Sequence, residues 1–420
     1  MIFMSENEFA ERIAALGGQL YVVGGWVRDR LIGRSSEDKD YVVCGLAAET
    51  LERKFQVHSV GRQFPVYLLE VGGRLSEVAL ARTERKTGTG YHGFEAHFSP
   101  DTTIEEDLYR RDTRMNSMAL RLPGRELIDP FGGRGDIENK IIRATSEHFR
   151  DDPVRALRAA RQSAQLGFSI ETGTVKLMSA CRSELTREPG ERVFAEMRKA
   201  LASPRPELFF TALRDAKILD AVFPELAALI GVEQPVFCHR GLDAFAHTME
   251  VLRRTAALSG VAETRFAALV HDLGKGLTPQ EEWPHHIGHE ARGLAALEQF
   301  NGRMTLPRSW HRFARFIIAN HMRLPRLRRP GAVVTVIGEM QRGGFDAAEV
   351  SAVIRADHGA LPDFLRRYCQ YAAVLAEERV RLTFPPLLPP RERGRWLNAR
   401  LADALARNFD PARGAHGEER

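Results

Sequence analysis

Two aspartates, Asp38 and Asp40, stand one lysine apart, thirteen residues beyond the pair Gly24-Gly25. An apolar run, residues 20–23, precedes the glycines, and Arg28 follows them. Residues two apart on a strand project to one face, and the Tyr-Val-Val after Asp40 favours a strand there. Carboxylates side by side repel and call for a cation. Hard oxygen ligands suit Mg²⁺, which is usually held by one or two carboxylates together with substrate phosphates. A Gly-Gly turn between strand and helix lets backbone N–H groups approach a triphosphate, and the helix N-terminus favours the anion. Arg28, in the first turn of that helix, is in reach of a phosphate as well. Either element alone is common, and the glycines match neither G-x-G-x-x-G nor a P-loop. Their conjunction at this spacing points to nucleotide chemistry.

Two further sets carry potential chemistry. Asp152, Arg155, Arg158 and Arg161 recur every three residues, so each step slips about 60° and the four fan across half a helix. Asp152-Pro153 also reads as an N-cap with proline at the first helical position, and the arginines read equally as a solvated face. The second set is His247, the adjacent pair His271-Asp272 followed by Leu-Gly-Lys, then His286, His289, His321 and Asp357. Imidazoles and carboxylates together suit a divalent transition metal.

The elements that must position these residues fall into two styles. Runs at residues 20–23, 40–45, 64–71 and 75–81 are rich in β-branched and aromatic residues and read as strands. Residues 126–142 read as a Gly/Pro-rich loop. From about residue 150 the apolar residues take helical spacing. The expectation is α+β: a head with a mixed β-sheet, then a long all-helical region. Turn-rich boundaries fall near residues 203–206, 231–235 and 328–331. Residues 384–396 read as a proline-rich connector, and the last eleven residues as disordered.

A chain of 420 residues suggests two to four domains. Hydrophobic residues make up 44% and charged residues 27%, an ordinary globular composition. The net charge of +5 tilts toward a polyanionic partner. Residues 302–330 hold eight arginines and no acidic residue, with Trp310, Phe313 and Phe316 interleaved; the arginines are a candidate RNA contact and the aromatics candidate core. Cys44, Cys181, Cys238 and Cys369 form neither C-x-x-C nor a disulfide framework. The start lacks the basic and long apolar regions of a signal peptide, and no run approaches a membrane span. A cytoplasmic protein with no membrane partner is expected.

The stretch GGWVRDRLIG with the later DKD resembles the head signature of class II tRNA nucleotidyltransferases and the related bacterial poly(A) polymerases. DLYRRDTRMNSMA resembles the family's Arg-Arg-Asp-x-x-x-Asn motif. DDPVRALRAARQSAQLGF resembles its Glu-Asp-x-x-Arg motif, with Asp151 where the family often has Glu. ARTERKTGTGYHGF also matches. GERVFAEM is similar to a later helix taken as structural. The resemblance implies that Asp38 and Asp40 are catalytic and bind Mg²⁺, and that Gly25, Arg28 and Arg111 hold the nucleotide. Glu77 is a possible third carboxylate. It further implies that Asp152, Arg155, Arg158 and Arg161 read the base edge, an Asp accepting from the amine of C or A. The FAHTMEVL, HDLGK, HHIGHE, IIANHM and IRADHG segments resemble the HD phosphohydrolase superfamily, which implies His247, His271, Asp272 and Asp357 as ligands of a divalent transition metal such as Ni²⁺. The roles of His286, His289 and His321 stay open, and Ile287 replaces one family histidine.

The implied organisation is a nucleotidyltransferase head (1–145), a helical neck and RNA-binding body (146–230), an HD domain (231–360) and a helical tail (361–420). The implied activity is template-independent addition and repair of the 3′-terminal C-C-A of tRNA from CTP and ATP, with a phosphohydrolase acting on 2′,3′-cyclic phosphates, 2′-nucleotides or other phosphoesters. The alternatives are a poly(A) polymerase, or a phosphohydrolase or RNA-binding protein with an inactive head. Monomer and homodimer are both open.

Overall fold

A computed structural model describes residues 4–57, 59–60, 66–88, 93–235 and 241–409. Cys238, part of the ARTERKTGTGYHGF segment and the C-terminal eleven residues lie outside these. The chain forms two compact units, Met1–Pro224 and Glu225–Arg420.

In the first unit, α1 (Glu6–Ala15) starts where the Ser5 hydroxyl accepts from the N–H of Glu8, and it buries Phe9, Ala10 and Ile13. The chain continues through β1 (Gln19–Val23), α2 (Gly25–Ile32), β2 (Asp40–Cys44), α3 (Ala48–Phe55), β3 (Ser59–Val60), β4 (Val66–Val71) and β5 (Arg74–Leu80). Then follow β6 (Arg82–Lys86), β7 (Phe94–Phe98), α4 (Ile104–Tyr109), β8 (Ala119–Arg121), β9 (Glu126–Ile128), α5 (Gly133–Glu138), α6 (Val154–Leu166) and α7 (Thr172–Ala180). Seven strands make one sheet in the order β3-β4-β5-β2-β1-β8-β9. The pair β2–β5 is parallel, while β1–β2, β1–β8, β4–β5 and β8–β9 are antiparallel, so the sheet is mixed. Its core packs Leu20, Val22, Tyr41, Val43, Tyr67 and Val78 against α1.

Two features depart from the sequence reading of this unit. The stretch expected to be a loop contains β9 and α5. Glycine is required at Gly133, where an added Cβ would sit 2.3 Å from the Arg114 carbonyl oxygen. Past residue 150 the described residues form helices and one short strand, Ser169–Ile170, which pairs in parallel with Ile141–Ile142.

The second unit is helical throughout its described residues. Its core joins Val251, Ile317, Ile337, Val353 and Ile354 with Phe364, Leu375, Leu401 and Leu405. Residues 361–409 therefore share the apolar core of the preceding helices. The proline-rich stretch is only half connector, because Pro390 opens the helix Pro390–Phe409; a missing N–H costs nothing at that position. Trp310, Phe313 and Phe316 are buried, and among the nearby arginines Arg303 pairs with Glu225 and Arg315 with Glu298.

Candidate active sites

The head site is built at the ends of β1 and β2. Val23, the last residue of β1, pairs with Asp40, the first of β2. Gly24 follows at φ +73°, ψ −139°, a conformation open to glycine, and the chain turns into α2. A Cβ on Gly24 would lie 3.5 Å from an Arg111 guanidinium nitrogen and 3.8 Å from Asp40 Oδ2. The turn is thus in close contact with both an acid and a base. Asp38 precedes β2 rather than lying on it, and both aspartates are exposed. The strand geometry expected for the pair does not apply. The paired strand supplies another neighbour instead: Glu77 on β5 stands directly in register with Asp40. The cleft walls displace water around Asp40, and this, then Glu77 and Asp38, push its carboxyl above the usual range, while Arg111 and Arg158 pull it down. Clustered carboxylates with one pKa raised by its neighbours are a donor set that fits a divalent cation.

Asp40, Gly24 and Gly25 line a cleft of about 420 Å³. Its other walls include Arg110 and Arg111, Asp112 and Asn116, and the α6 face of Asp152, Arg155 and Arg158. Asp107, fully buried, organises the arginines: Oδ1 accepts from Arg110 at 2.6 Å and Oδ2 from Arg111 at 2.9 Å. Burial alone would push this carboxyl up, but Arg110 and Arg111 hold it down at about 2. Asp112 accepts Arg158 Nε at 2.7 Å and Asn116 Nδ2 at 3.1 Å, and Asn116 Oδ1 accepts Arg28 Nη1 at 2.7 Å. Burial opposes the charge on Asp112 too, yet Arg158, Asn116 and the Thr113 N–H keep it well below the usual carboxylate range.

The expected nucleotide residues separate into two groups. Gly25, Arg111, Asp152, Arg155 and Arg158 line the cleft; Arg28 and Arg161 do not. Arg28 is buried and donates to Asn116 and Asp29. Arg161 turns to Glu196 at 2.5 Å and Gln165 at 2.7 Å, because its place on the fan faces the helix Gly190–Leu201. Asp152 is not the N-cap: Pro153 holds that position and α6 begins at Val154, one residue later than expected, while Asp152 Oδ1 accepts the Val154 N–H at 3.1 Å and Arg192 pairs with Asp152 at 3.2 Å. Arg158 keeps its side chain 41% exposed while bound to Asp112. Arg155 is buried against the His148 carbonyl at 2.7 Å and Glu84 at 3.5 Å. Sequence reasoning passed over Asp107, Asp112 and Asn116, although the quoted segment DLYRRDTRMNSMA contains all three.

In the second unit a buried cluster brings together six groups. His247 Nε2 is 3.1 Å from Asp357 Oδ1 and 3.7 Å from Asp272 Oδ2. His271 Nε2 is 3.1 Å from Asp272 Oδ2 and 3.7 Å from Asp357 Oδ1. His289 and His321 each present Nε2 to Asp272 Oδ1 at 3.4 Å and to each other at 3.2 Å. The Nδ1 atoms of His271, His289 and His321 meet the carbonyls of Ala268, His286 and Ile318 at 2.7, 2.9 and 3.0 Å. A carbonyl only accepts, so each Nδ1 carries the proton and, in the neutral ring, each Nε2 offers a lone pair inward. Two such lone pairs facing at 3.2 Å repel unless a proton or a metal ion lies between them. His271 Nε2 and Asp272 Oδ1 are also buried without a hydrogen-bond partner among the described residues. The donor set therefore fits divalent metal, in two groups that share Asp272: His247, His271 and Asp272, and Asp272, His289 and His321. Burial disfavours positive charge beside His271, but Asp272 and Asp357 favour it more strongly, and the same field favours a bound cation.

His286 does not join the cluster. Its Nε2 donates to the Glu233 carbonyl at 2.7 Å and its Nδ1 meets the Thr278 hydroxyl at 2.9 Å, so both nitrogens are used in structure. Lys275 donates to Asp272 Oδ2 and to Gln234, both at 2.6 Å. A cavity of about 440 Å³ opens beside the cluster, with Lys275, Arg326 and His285 in its wall. Ile287 is 77% exposed.

A mixed-sheet head with clustered acids beside a glycine turn, joined in sequence to a helical unit with a histidine-aspartate centre, defines a nucleotidyltransferase carrying an HD domain. Family models agree: the poly A polymerase head domain matches residues 20–143, the "probable RNA and SrmB- binding site of polymerase A" matches 167–230, and the HD domain matches 244–356. The multifunctional CCA protein of Pseudomonas aeruginosa is 40% identical over 415 residues, 96% of this chain and 99% of that protein. That of Methylococcus capsulatus is 46% identical over 307 residues, 72% of this chain and 71% of that one. The chain belongs to the family of multifunctional CCA proteins. The fold is also that of a Bacillus stearothermophilus CCA-adding enzyme solved in complex with CTP, at TM-score 0.64 and 24% identity over 95% of this chain and 91% of that one. A CCA-adding enzyme solved with ATP gives TM-score 0.61 at 22% identity over 95% of this chain and 88% of that one. No helix among the described residues is long and apolar enough to cross a membrane.

Proposed function

We propose that the head adds and repairs the 3′-terminal C-C-A of tRNA without a nucleic-acid template, taking CTP and ATP as substrates. The observation that carries this is the convergence of Asp40, the Gly24 turn and the Asp152–Arg158 face of α6 on one cleft. Asp38, Asp40 and Glu77 would hold Mg²⁺, which when bound lowers the pKa of the RNA 3′-hydroxyl and steadies the leaving pyrophosphate. The Gly24-Gly25 turn brings main-chain N–H groups to the triphosphate, and Arg111, anchored by Asp107, adds a fixed positive charge. Asp152 offers a carboxylate to the exocyclic amine of cytosine or adenine. Arg158, oriented by Asp112, offers guanidinium N–H groups to ring acceptors. Uracil and guanine present the opposite pattern at those positions, and an unpaired buried polar group is what rejects them. Arg28 and Arg161 act in this reading by positioning α2 and α6.

The second unit would act as a phosphohydrolase on 2′,3′-cyclic phosphates, 2′-nucleotides or other phosphoesters. His247, His271, Asp272 and Asp357 would hold a divalent transition metal such as Ni²⁺, with His289 and His321 completing a second group through Asp272. Such an ion supplies Lewis acidity and an activated water nucleophile. Lys275 and Arg326 place positive charge in the adjoining cavity, where a phosphoester would sit. Cytoplasmic residence as a monomer or homodimer accords with these substrates.

The test is nucleotide incorporation into tRNA lacking C-C-A, with each nucleotide singly and in combination. The expected result is CMP from CTP alone and completion by one AMP when ATP is added. Repeated AMP addition without use of CTP would replace this reading with a poly(A) polymerase.

A further inference from the structure

Two more hollows follow one another outward from the head cleft. One, of about 390 Å³, shares Glu84 and Arg110 with the cleft and is walled by Tyr109, Phe131 and His148. The other, of about 750 Å³, shares Tyr109 with the first and is lined by Arg114, Arg143 and Lys176. Tyr109, the last residue of α4, is the wall between them. It is 46% exposed although its ring lies 5.7 Å from Phe131 and 5.4 Å from His148, centroid to centroid. His148 is in turn fixed by Asp151, Nδ1 to Oδ2 at 2.7 Å. An exposed aromatic braced by two other rings is a rigid stacking surface.

The charges beyond Tyr109 are unevenly committed. The acids of that hollow have local partners: Glu171 accepts the Thr174 N–H at 2.8 Å at the start of α7, and Glu147 pairs with Arg150 at 3.2 Å. The cations are less occupied. Arg114 Nε and Arg143 Nε make no hydrogen bond among the described residues; Asp136 attracts both arginines, with its Oδ1 3.7 Å from Arg143 Nε, and Lys176 is exposed. Arg114 and Arg143 are each part-exposed, so an anion arriving from outside can meet the outer guanidinium nitrogens.

We propose that this path carries the single-stranded 3′ end of the RNA substrate: one unpaired base stacks on Tyr109 beside the cleft, and the phosphates behind it run over Arg114, Arg143 and Lys176. The proposal rests on RNA being the acceptor in the head reaction. A single strand presents a π-face at each base and an anion at each nucleotide, and the two hollows offer a partner for each in that order. The acids Glu84 and Glu105 in the first hollow disfavour a phosphate there and leave it to a base.

Two measurements on the full chain test this: binding of a fluorescent single-stranded RNA 12-mer, and KM for tRNA lacking C-C-A set against KM for CTP. Tyr109→Ala is expected to weaken RNA binding and raise the RNA KM about tenfold with the CTP KM unchanged, and Tyr109→Trp to restore both. Replacing Arg114, Arg143 and Lys176 together by glutamine is expected to reduce the slope of log Kd against log salt by about two. RNA Kd and KM within twofold of the parent in both variants would overturn the path, as would a Tyr109→Ala effect falling equally on CTP. If the parent chain adds no nucleotide to any RNA, the function proposed above fails, and 12-mer binding alone then decides the path.

Discussion

Glu77 faces Asp40 across the parallel pair β2–β5, in strict register and at the end where β1 gives way to the glycine turn. Backbone hydrogen bonding, and no flexible side-chain excursion, sets these two carboxylates beside each other. Asp40→Asn is expected to lower kcat for CMP incorporation by at least about a thousandfold, or roughly 4 kcal/mol. Glu77→Gln is expected to raise the Mg²⁺ concentration for half-maximal rate about tenfold while sparing saturated kcat more than Asp40→Asn does. Magnesium titrations of the incorporation rate check both, and a Glu77→Gln curve overlying the parent's would remove Glu77 from the site.

Base choice is expected to depend on a residue that touches no base. Asp112→Asn removes the charge that aims Arg158, so the kcat/KM preference for CTP over UTP is expected to fall about tenfold, with CTP KM rising less. Unchanged discrimination in single-turnover assays would show that Arg158 needs no such support.

The buried carboxylate of Asp107 makes head stability depend on acid. Its folded pKa of about 2 lies below its ordinary value of 3.8, so its stabilisation is complete above pH 4 and is lost as pH falls toward 2. The shift corresponds to about 2 kcal/mol. Asp107→Asn is therefore expected to lower Tm at pH 7, and the gap from the parent to narrow below pH 4. A gap that stays constant with pH would assign the effect to packing alone.

Gly274 is tightly enclosed: a Cβ there would lie 1.8 Å from the His289 carbonyl oxygen and 2.4 Å from the Gly293 nitrogen. Gly274→Ala must push away the helix His289–Met304 and with it His289. Phosphoesterase activity and bound divalent metal are both expected to drop more than tenfold, as for Asp272→Ala, with CMP incorporation into tRNA retained. Metal content by mass spectrometry beside the two assays checks this.

How far these sites could be read from sequence depended on range. β1, β2, β4 and β5 were legible because β-branched and aromatic residues concentrate in them. The Gly24 turn and Asp40 were legible because residue types and short spacing suffice. Helix α5 was hidden by its glycines, which read as loop signals until Gly133 is seen against Arg114. The partnership of Glu77 with Asp40 needs the register of a non-local parallel pair, which no local pattern encodes. The same distance problem left the roles of His289 and His321 open, since they reach Asp272 only through helix packing. On α6 the three-residue repeat was visible, but not which arginine would meet Glu196 and which the cleft. The mistaken strand position for Asp38 came from extending β2 two residues too early.

The hydrogen-bonded series Arg28, Asn116, Asp112 and Arg158 runs without a gap from α2 to α6. Such a series behaves as a single mechanical part. Cutting it at Asn116 should harm much what cutting it at Asp112 harms, and cutting both should add little more. Epistasis among these four positions, not the severity of any one replacement, is the genetic trace the fold would leave.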